Sequence, residues 1–251
     1  MKVRDLSASH GWQWVRDAFK LFARSPMLWI ALTVVLIVIW MISGMIPILG
    51  QIAIGVLYPV FMAGLMAGAR KVDKDDELEL ADLFTAFREN LKPLATVGVI
   101  GLVLQIMLLG AMMLAGFKEP PMPAAGQSPD VAAMQSYLSE IALPLLIGAA
   151  LWVPIAMALW FVPPLLMFNK HISAVDAIKW SFYACVANII PFLVYGLVMF
   201  GLSMLMPFTL FLGVIVLIPV IFITMYTAYK DIFDETGIEK ITTGINPPKN
   251  A

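Results

Sequence analysis

Residues 27–69 read MLWIALTVVLIVIWMISGMIPILGQIAIGVLYPVFMAGLMAGA, and the next two are Arg70 and Lys71. The stretch contains no Asp, Glu, Lys, Arg or His. Gly44 and Pro47 divide it into two apolar runs, about Met27–Ser43 and about Ile46–Ala69. A run of about 17–25 apolar residues is long enough to cross a bilayer as a helix. Hydrocarbon offers no water to unpaired backbone groups, so a helix is the form such a run takes there. Two runs joined by a short Gly/Pro turn predict a transmembrane hairpin.

Outward from this hairpin the pattern recurs. Four more apolar runs follow, about Leu94–Gly116, Ile141–Phe168, Ile189–Met206 and Phe208–Tyr229. The chain therefore reads as an all-α, polytopic membrane helix bundle of six transmembrane helices. A single membrane domain spans residues 1–235, residues 117–140 form a loop insertion, and residues 236–251 form a flexible tail. Composition agrees, with 61% hydrophobic and 13% charged residues among 251. Soluble domains carry about 45–50% apolar and about 25% charged residues. Residues 1–26 lack the early apolar core of a secretory signal, so the N-terminus is expected to be retained.

Basic residues set the orientation. Fifteen of the 16 Lys and Arg residues lie before the first span, between spans two and three, between four and five, or after the sixth. Lys118, in the loop between spans three and four, is the exception. Cytoplasmic loops carry the excess of Lys and Arg. Both termini are thus expected in the cytoplasm and the 117–140 loop in the periplasm, with the bacterial inner membrane as the location.

A short segment of mixed polarity precedes each odd-numbered span. In the first, RDAFKLFARSP, Arg16, Lys20 and Arg24 recur at i, i+4 and i+8. Trp12, Trp14, Val15, Phe19 and Phe22 supply its aromatic and apolar character. A basic amphipathic helix of this kind suits the headgroup region of a membrane. Trp12, Trp14, Arg16, Lys20 and Arg24 are therefore candidate membrane-surface residues, with the bilayer and its anionic headgroups as expected partners; the alternative is a cytoplasmic collar packed on the bundle, which periodicity alone does not separate from it. ADLFTAFRENLKP and VDAIKWSFYACVANIIP head the second and third units. Asp17–Lys20 pairs with Asp176–Lys179, and YPVFMAGLMAGAR in the second span with IPVIFITMYTAYK in the sixth. The reading is three parallel quasi-repeats, each a cytoplasmic amphipathic helix followed by two spans. In a parallel repeat the units are related by an axis along the membrane normal.

Inside the spans, Pro59, Pro154, Pro163 and Pro219 are candidate helix-kink residues, because proline removes a helical hydrogen bond. Gly64 and Gly68 form a GxxxG motif suited to close helix packing. Gln105 is the most deeply placed large polar side chain, expected to bond between helices. No span carries a charge at its centre, as ion pathways and proton relays normally do. Zinc-peptidase, nucleophile-elbow and phosphate-loop motifs are missing. His10 and His171 stand alone and suggest no metal ligand. Cys185, the single cysteine, rules out an internal disulfide and reads as a packed apolar residue. The net charge of −1 gives no pull toward nucleic acid. Catalytic, cofactor-binding and metal residues are all expected to be none.

The segments GWQWVRDAFKLFARSPMLW, LADLFTAFRENLKPL and DAIKWSFYACVANIIPF resemble an uncharacterised family of six-span bacterial inner-membrane proteins. More distantly, the chain is similar to YciC-type proteins and to the membrane domain of some glycerophosphodiester phosphodiesterases. The resemblance implies a bacterial cytoplasmic membrane and brings no catalytic residues. The expected function is non-enzymatic: an accessory or regulatory partner of another membrane system, acting through the cytoplasmic collar, with a membrane protein as its partner. The alternative is a carrier of a lipid or other neutral or amphiphilic molecule. A groove-like path through the bundle favours the carrier, and tight packing favours the accessory role.

Overall fold

The computed structural model describes residues 2–120, 131–210 and 212–233. The tail from Thr236, and residues 121–130 of the loop, lie outside the described residues. Ten α-helices are described: α1 Ser9–Arg24, α2 Pro26–Gly44, α3 Leu49–Asp73, α4 Thr85–Glu89, α5 Leu91–Leu114, α6 Val131–Leu159, α7 Val162–Phe168, α8 Ala174–Ala187, α9 Ile189–Met204 and α10 Val214–Phe233. A 3-10 turn, Leu80–Phe84, precedes α4, and another, Pro207–Thr209, follows α9.

Five stretches are long and apolar enough to cross a membrane: α2, α3, α5, Met134–Phe168 and α10. A sixth is reached if α8 and α9, bent by 80° at Asn188, count as one span. By itself α9 has 16 residues, or about 24 Å at 1.5 Å per residue, short of a hydrocarbon core of about 30 Å. Three sequence-based boundaries move. The last span begins at Val214 rather than Phe208, because Pro207–Thr209 form the 3-10 turn. α3 continues past Arg70 to Asp73. Residues 131–140, expected as a short helix of the loop leading into span four, are continuous with that span in α6, and Tyr137 Oη donates to the Lys118 carbonyl at 3.1 Å.

The prolines act unequally. Helix α3 runs through Pro59, α6 through Pro144 and Pro154, and α10 through Pro219. The fourth span breaks instead at Trp160–Phe161, and Pro163 sits in the first turn of α7. An N–H there has no intrahelical acceptor, so proline costs nothing.

In the apolar 18-residue stretches of α3 and α10, 56% of the residues are buried, against 11–22% in those of α2, α5 and the fourth span. The first two are the centre of the bundle, and the others turn apolar side chains outward. Two of the short helices lie against the central ones, and α8 lies against the fourth span. α1 packs on α10 and α9, the Leu80–Phe84 turn and α4 on α3, and α8 on α6 and α7. Each meets its long helix at one residue off the helical path: Ser25 (φ −147°, ψ 56°), Asn90 (φ −142°, ψ 30°) and Asn188 (φ −116°, ψ 32°). Aligning Ser25 with Asn188 places buried Ala18, Leu21 and Phe22 opposite buried Ser181, Ala184 and Cys185. This register lies one helical turn from the Asp17–Asp176 pairing suggested by sequence.

Candidate functional site

Helix α1 buries Gly11, Trp14, Val15, Ala18, Leu21 and Phe22, and leaves Arg16, Lys20 and Arg24 on the opposite side. The 3–4 spacing of the buried set is that of one helical face. Gly11 permits the docking, since a Cβ there would stand 2.1 Å from the Pro191 carbonyl oxygen on α9. The cationic side of α1 then faces the ends of α3 and α10 across a cleft of about 620 Å³. Five cations line it, Arg4, Lys20, Arg24, Lys74 and Lys230, with three carboxylates, Asp17, Asp73 and Asp231.

Asp231 organises one wall. It accepts from Trp14 Nε1 at 2.9 Å, lies 2.7 Å from His10 Nδ1 and 3.4 Å from Arg4. The Arg4 backbone N–H donates to the Ile232 carbonyl, and Asn188 bonds both the Leu6 N–H and the Arg4 carbonyl. The N-terminal segment is thereby strapped across α9 and α10. On the other wall Asp73 accepts from Lys230 and from Tyr226 Oη. Arg24 donates to the Val72 carbonyl at 2.7 Å and pairs with Asp75 at 2.9 Å, while Lys20 holds Asp17 at 2.7 Å. The lining cations exceed the lining carboxylates by two, and Asp75, paired with Arg24, lowers that excess to one, a small positive balance that favours anions.

The sequence-predicted surface residues separate. Trp12 is 53% exposed and points away from the core. Trp14 does not face headgroups: it is 2% exposed, with its ring 5.2 Å from that of Phe192. Arg16 is exposed beside Asp17 and outside the cleft, whereas Lys20 and Arg24 line it. Arg4, Asp73, Lys230 and Asp231 escaped the sequence reading, because their partners lie up to 227 positions away.

Gly64 and Gly68 seat the Leu80–Phe84 turn rather than another span. A Cβ on Gly64 would meet the Leu83 carbonyl oxygen at 2.2 Å, and one on Gly68 the Leu78 side chain at 2.8 Å. Lys71 closes this contact by pairing with buried Asp82 at 2.7 Å. The close approach between spans belongs to Gly98, where a Cβ would lie 2.1 Å from the Val56 carbonyl oxygen. Cys185 is 3% exposed, and burial pushes its thiol up to about 12. Among the described residues no group of three His, Cys, Asp or Glu could hold a metal ion.

A second cavity, of about 390 Å³, lies in the apolar layer between α3, α5 and α6. Gln105 lines it. The expected interhelical bond of Gln105 is not formed among the described residues.

The chain is 29% identical over 213 residues to a Burkholderia thailandensis protein named "Probable inner membrane protein", a match covering 81% of this chain and 77% of that one. No family model and no solved structure matches the chain, so neither carries the more distant likeness to YciC-type proteins or to the phosphodiesterase membrane domain. The apolar helices and this relative together make the chain a multi-pass, all-helical integral membrane protein.

Proposed function

We propose that the protein is a non-enzymatic inner-membrane protein with both termini in the cytoplasm, and that it acts as an accessory component by engaging anionic headgroups in its charged cleft. The observation that carries this reading is the cleft itself, where Lys20 and Arg24 of the collar converge with Arg4, Lys74 and Lys230. The basic residues lie at this end of the bundle, as cytoplasmic flanks do, and the Burkholderia relative's name supports the location. The order of packing supports three units in a ring: α1 on α10, α4 on α3, and α8 on α6 and α7. Each collar helix then covers the descending span of the unit before it. The apolar face of α1 is spent on α9 and α10, so the collar presents charge rather than grease.

The test is thermal unfolding of the purified protein in neutral detergent with added phosphatidylglycerol or phosphatidylcholine. Phosphatidylglycerol should raise the midpoint, and Lys20→Gln with Arg4→Gln should remove that rise. Equal shifts from both lipids would end this reading. A second reading, a carrier of neutral or amphiphilic cargo, is favoured by the cavity within the apolar layer.

A further inference from the structure

Gly55, Gly98 and Gly101 line the membrane cavity of about 390 Å³, and Trp152, Leu159 and Trp160 face them. At Gly101 a Cβ would meet nothing nearer than 3.7 Å, so this glycine leaves open space, while Gly55 and Gly98 let α3 and α5 approach closely. At 1.5 Å per residue the cavity extends from about 8 to about 25 Å above the charged end of the bundle, the middle of a core about 30 Å thick.

Three polar groups line this space: the Gln105 amide, the Tyr58 hydroxyl and the Trp160 indole N–H. Among the described residues none of them has a hydrogen-bond partner, and the Trp160 Nε1 atom is fully buried. A polar group left unpaired in hydrocarbon costs several kcal/mol. The Tyr58 and Gln105 side chains are partly open to the outer surface of the bundle, so the buried Trp160 N–H is the group that most needs a partner within the cavity. No Asp, Glu, Lys, Arg or His lines the cavity, so a charged partner would lie there uncompensated.

The donors and acceptors narrow the choice. An indole N–H only donates, while the amide and the phenol donate and accept. The matching ligand has acceptor oxygens. The remaining wall is aliphatic or aromatic, matching a hydrocarbon body. Pockets of about 300–1,000 Å³ hold small organic ligands. Trp152, on the cavity wall, is 58% exposed at the outer surface of the bundle, which gives a route in from the lipid.

We infer that this cavity binds a neutral, carbonyl-bearing lipophile whose acceptor oxygens are met by Trp160, Gln105 and Tyr58. The inference does not depend on the charged cleft, and it gives the carrier reading a class of cargo. Carbonyl oxygens reach the membrane on quinone rings and on acyl esters.

The experiment uses the full chain in lipid nanodiscs, with tryptophan fluorescence as the signal and decyl-benzoquinone as the probe. Bromodecane, a quencher without acceptor oxygens, is the control. Quenching by the quinone should saturate, at a concentration at least tenfold below any effect of bromodecane. Gln105→Leu and Trp160→Phe should each weaken binding about tenfold, the usual consequence of one lost hydrogen bond of about 1.4 kcal/mol. Trp152 stays as reporter in both. Gly101→Leu should abolish saturation by filling the cavity, since a Cβ there meets nothing nearer than Leu159 Cδ1 at 3.7 Å. Displacement of the quinone by dioleoylglycerol would assign the site to acyl esters, and retention to ring carbonyls. Unsaturable quenching, equal across all variants, would overturn the inference and leave the cleft reading untouched. So would equal quenching by bromodecane.

Discussion

Replacing Asp231 with Ala should release α1 from the bundle. The Asp231 side chain is 23% exposed and meets three groups: Trp14 Nε1 at 2.9 Å, His10 at 2.7 Å and Arg4 at 3.4 Å. The Arg4 contact is long and open to solvent, worth about 0–1 kcal/mol. The Trp14 contact matters more. Its ring is buried, and an orphaned buried donor costs about 1–3 kcal/mol. His10 adds about 1 kcal/mol as a part-buried hydrogen bond. The three share one carboxylate and do not add fully, so about 3 kcal/mol is expected for the group. That equals on the order of a hundredfold in the equilibrium between docked and undocked α1. Trypsin reports this equilibrium, because Arg16, Lys20 and Arg24 are cut readily only when α1 leaves the bundle. The cleavage rate at these sites should rise on the order of a hundredfold in Asp231→Ala. Asp231→Asn retains an oxygen for Trp14 and should raise it only about fivefold. A rate in Asp231→Ala within twofold of the parent would refute the assignment of Asp231 as the anchor. Equal rates in the two variants would show that charge, not the Trp14 bond, holds the helix.

Gly64→Ala should lower the thermal midpoint in detergent, by an overpacking cost of about 1–3 kcal/mol, because its Cβ would collide with the Leu83 carbonyl. Gly201→Ala, with nothing within 4 Å of the new atom, should hold or raise the midpoint. A drop in Gly201→Ala as large as that in Gly64→Ala would remove the steric explanation. Cys185 should react slowly with maleimide at pH 8 until the protein is denatured, since burial pushes its thiol up to about 12; fast labelling of folded protein would place it at the surface. In spheroplasts of a Cys185→Ser strain, an impermeant thiol reagent should label Lys118→Cys and spare Lys74→Cys and His171→Cys, and the reverse pattern would invert the topology.

Spans were legible because crossing a bilayer demands a long uncharged run, which one sequence displays openly. The hairpin of α2 and α3 follows residues 27–69 to within a few positions. The end of span five and the start of span six were misplaced because the 3-10 turn at Pro207–Thr209 is as apolar as the helices around it. Periodicity gave α1 two faces, but it could not say what the apolar face covers. Trp14 was assigned to lipid because a basic helix with tryptophans is the usual signature of the headgroup region. Nothing within the helix reports that Phe192 and Asp231 are waiting for it. The cleft was half legible: Lys20 and Arg24 stand out by spacing, whereas Asp73, Lys230 and Asp231 become part of it only through packing over long sequence separations. Gln105 stands out in the sequence as a polar residue within an apolar run, but nothing there distinguishes Gly101, which leaves open space, from Gly98, which makes a contact.

The packing of α1 on α9 and α10 constrains the order of assembly. α1 is made first, yet its binding surface on α9 and α10 and its anchor Asp231 are made last. Until then Trp14, Val15, Leu21 and Phe22 have no protein surface to bury them. A basic helix with an apolar face can bury that face in the headgroup region, held by Arg16, Lys20 and Arg24. On the proposed reading, residues 9–24 would lie in the headgroup region first and be buried in the bundle once α9 and α10 are made. The same logic explains the division of charge in α1. A purely apolar helix would be drawn into the bilayer as a span, and a purely polar one would find nothing to bury on α10. Three cations on one face would keep the helix at the surface, while Gly11, Trp14 and Ala18 on the other fit it to α9 and α10.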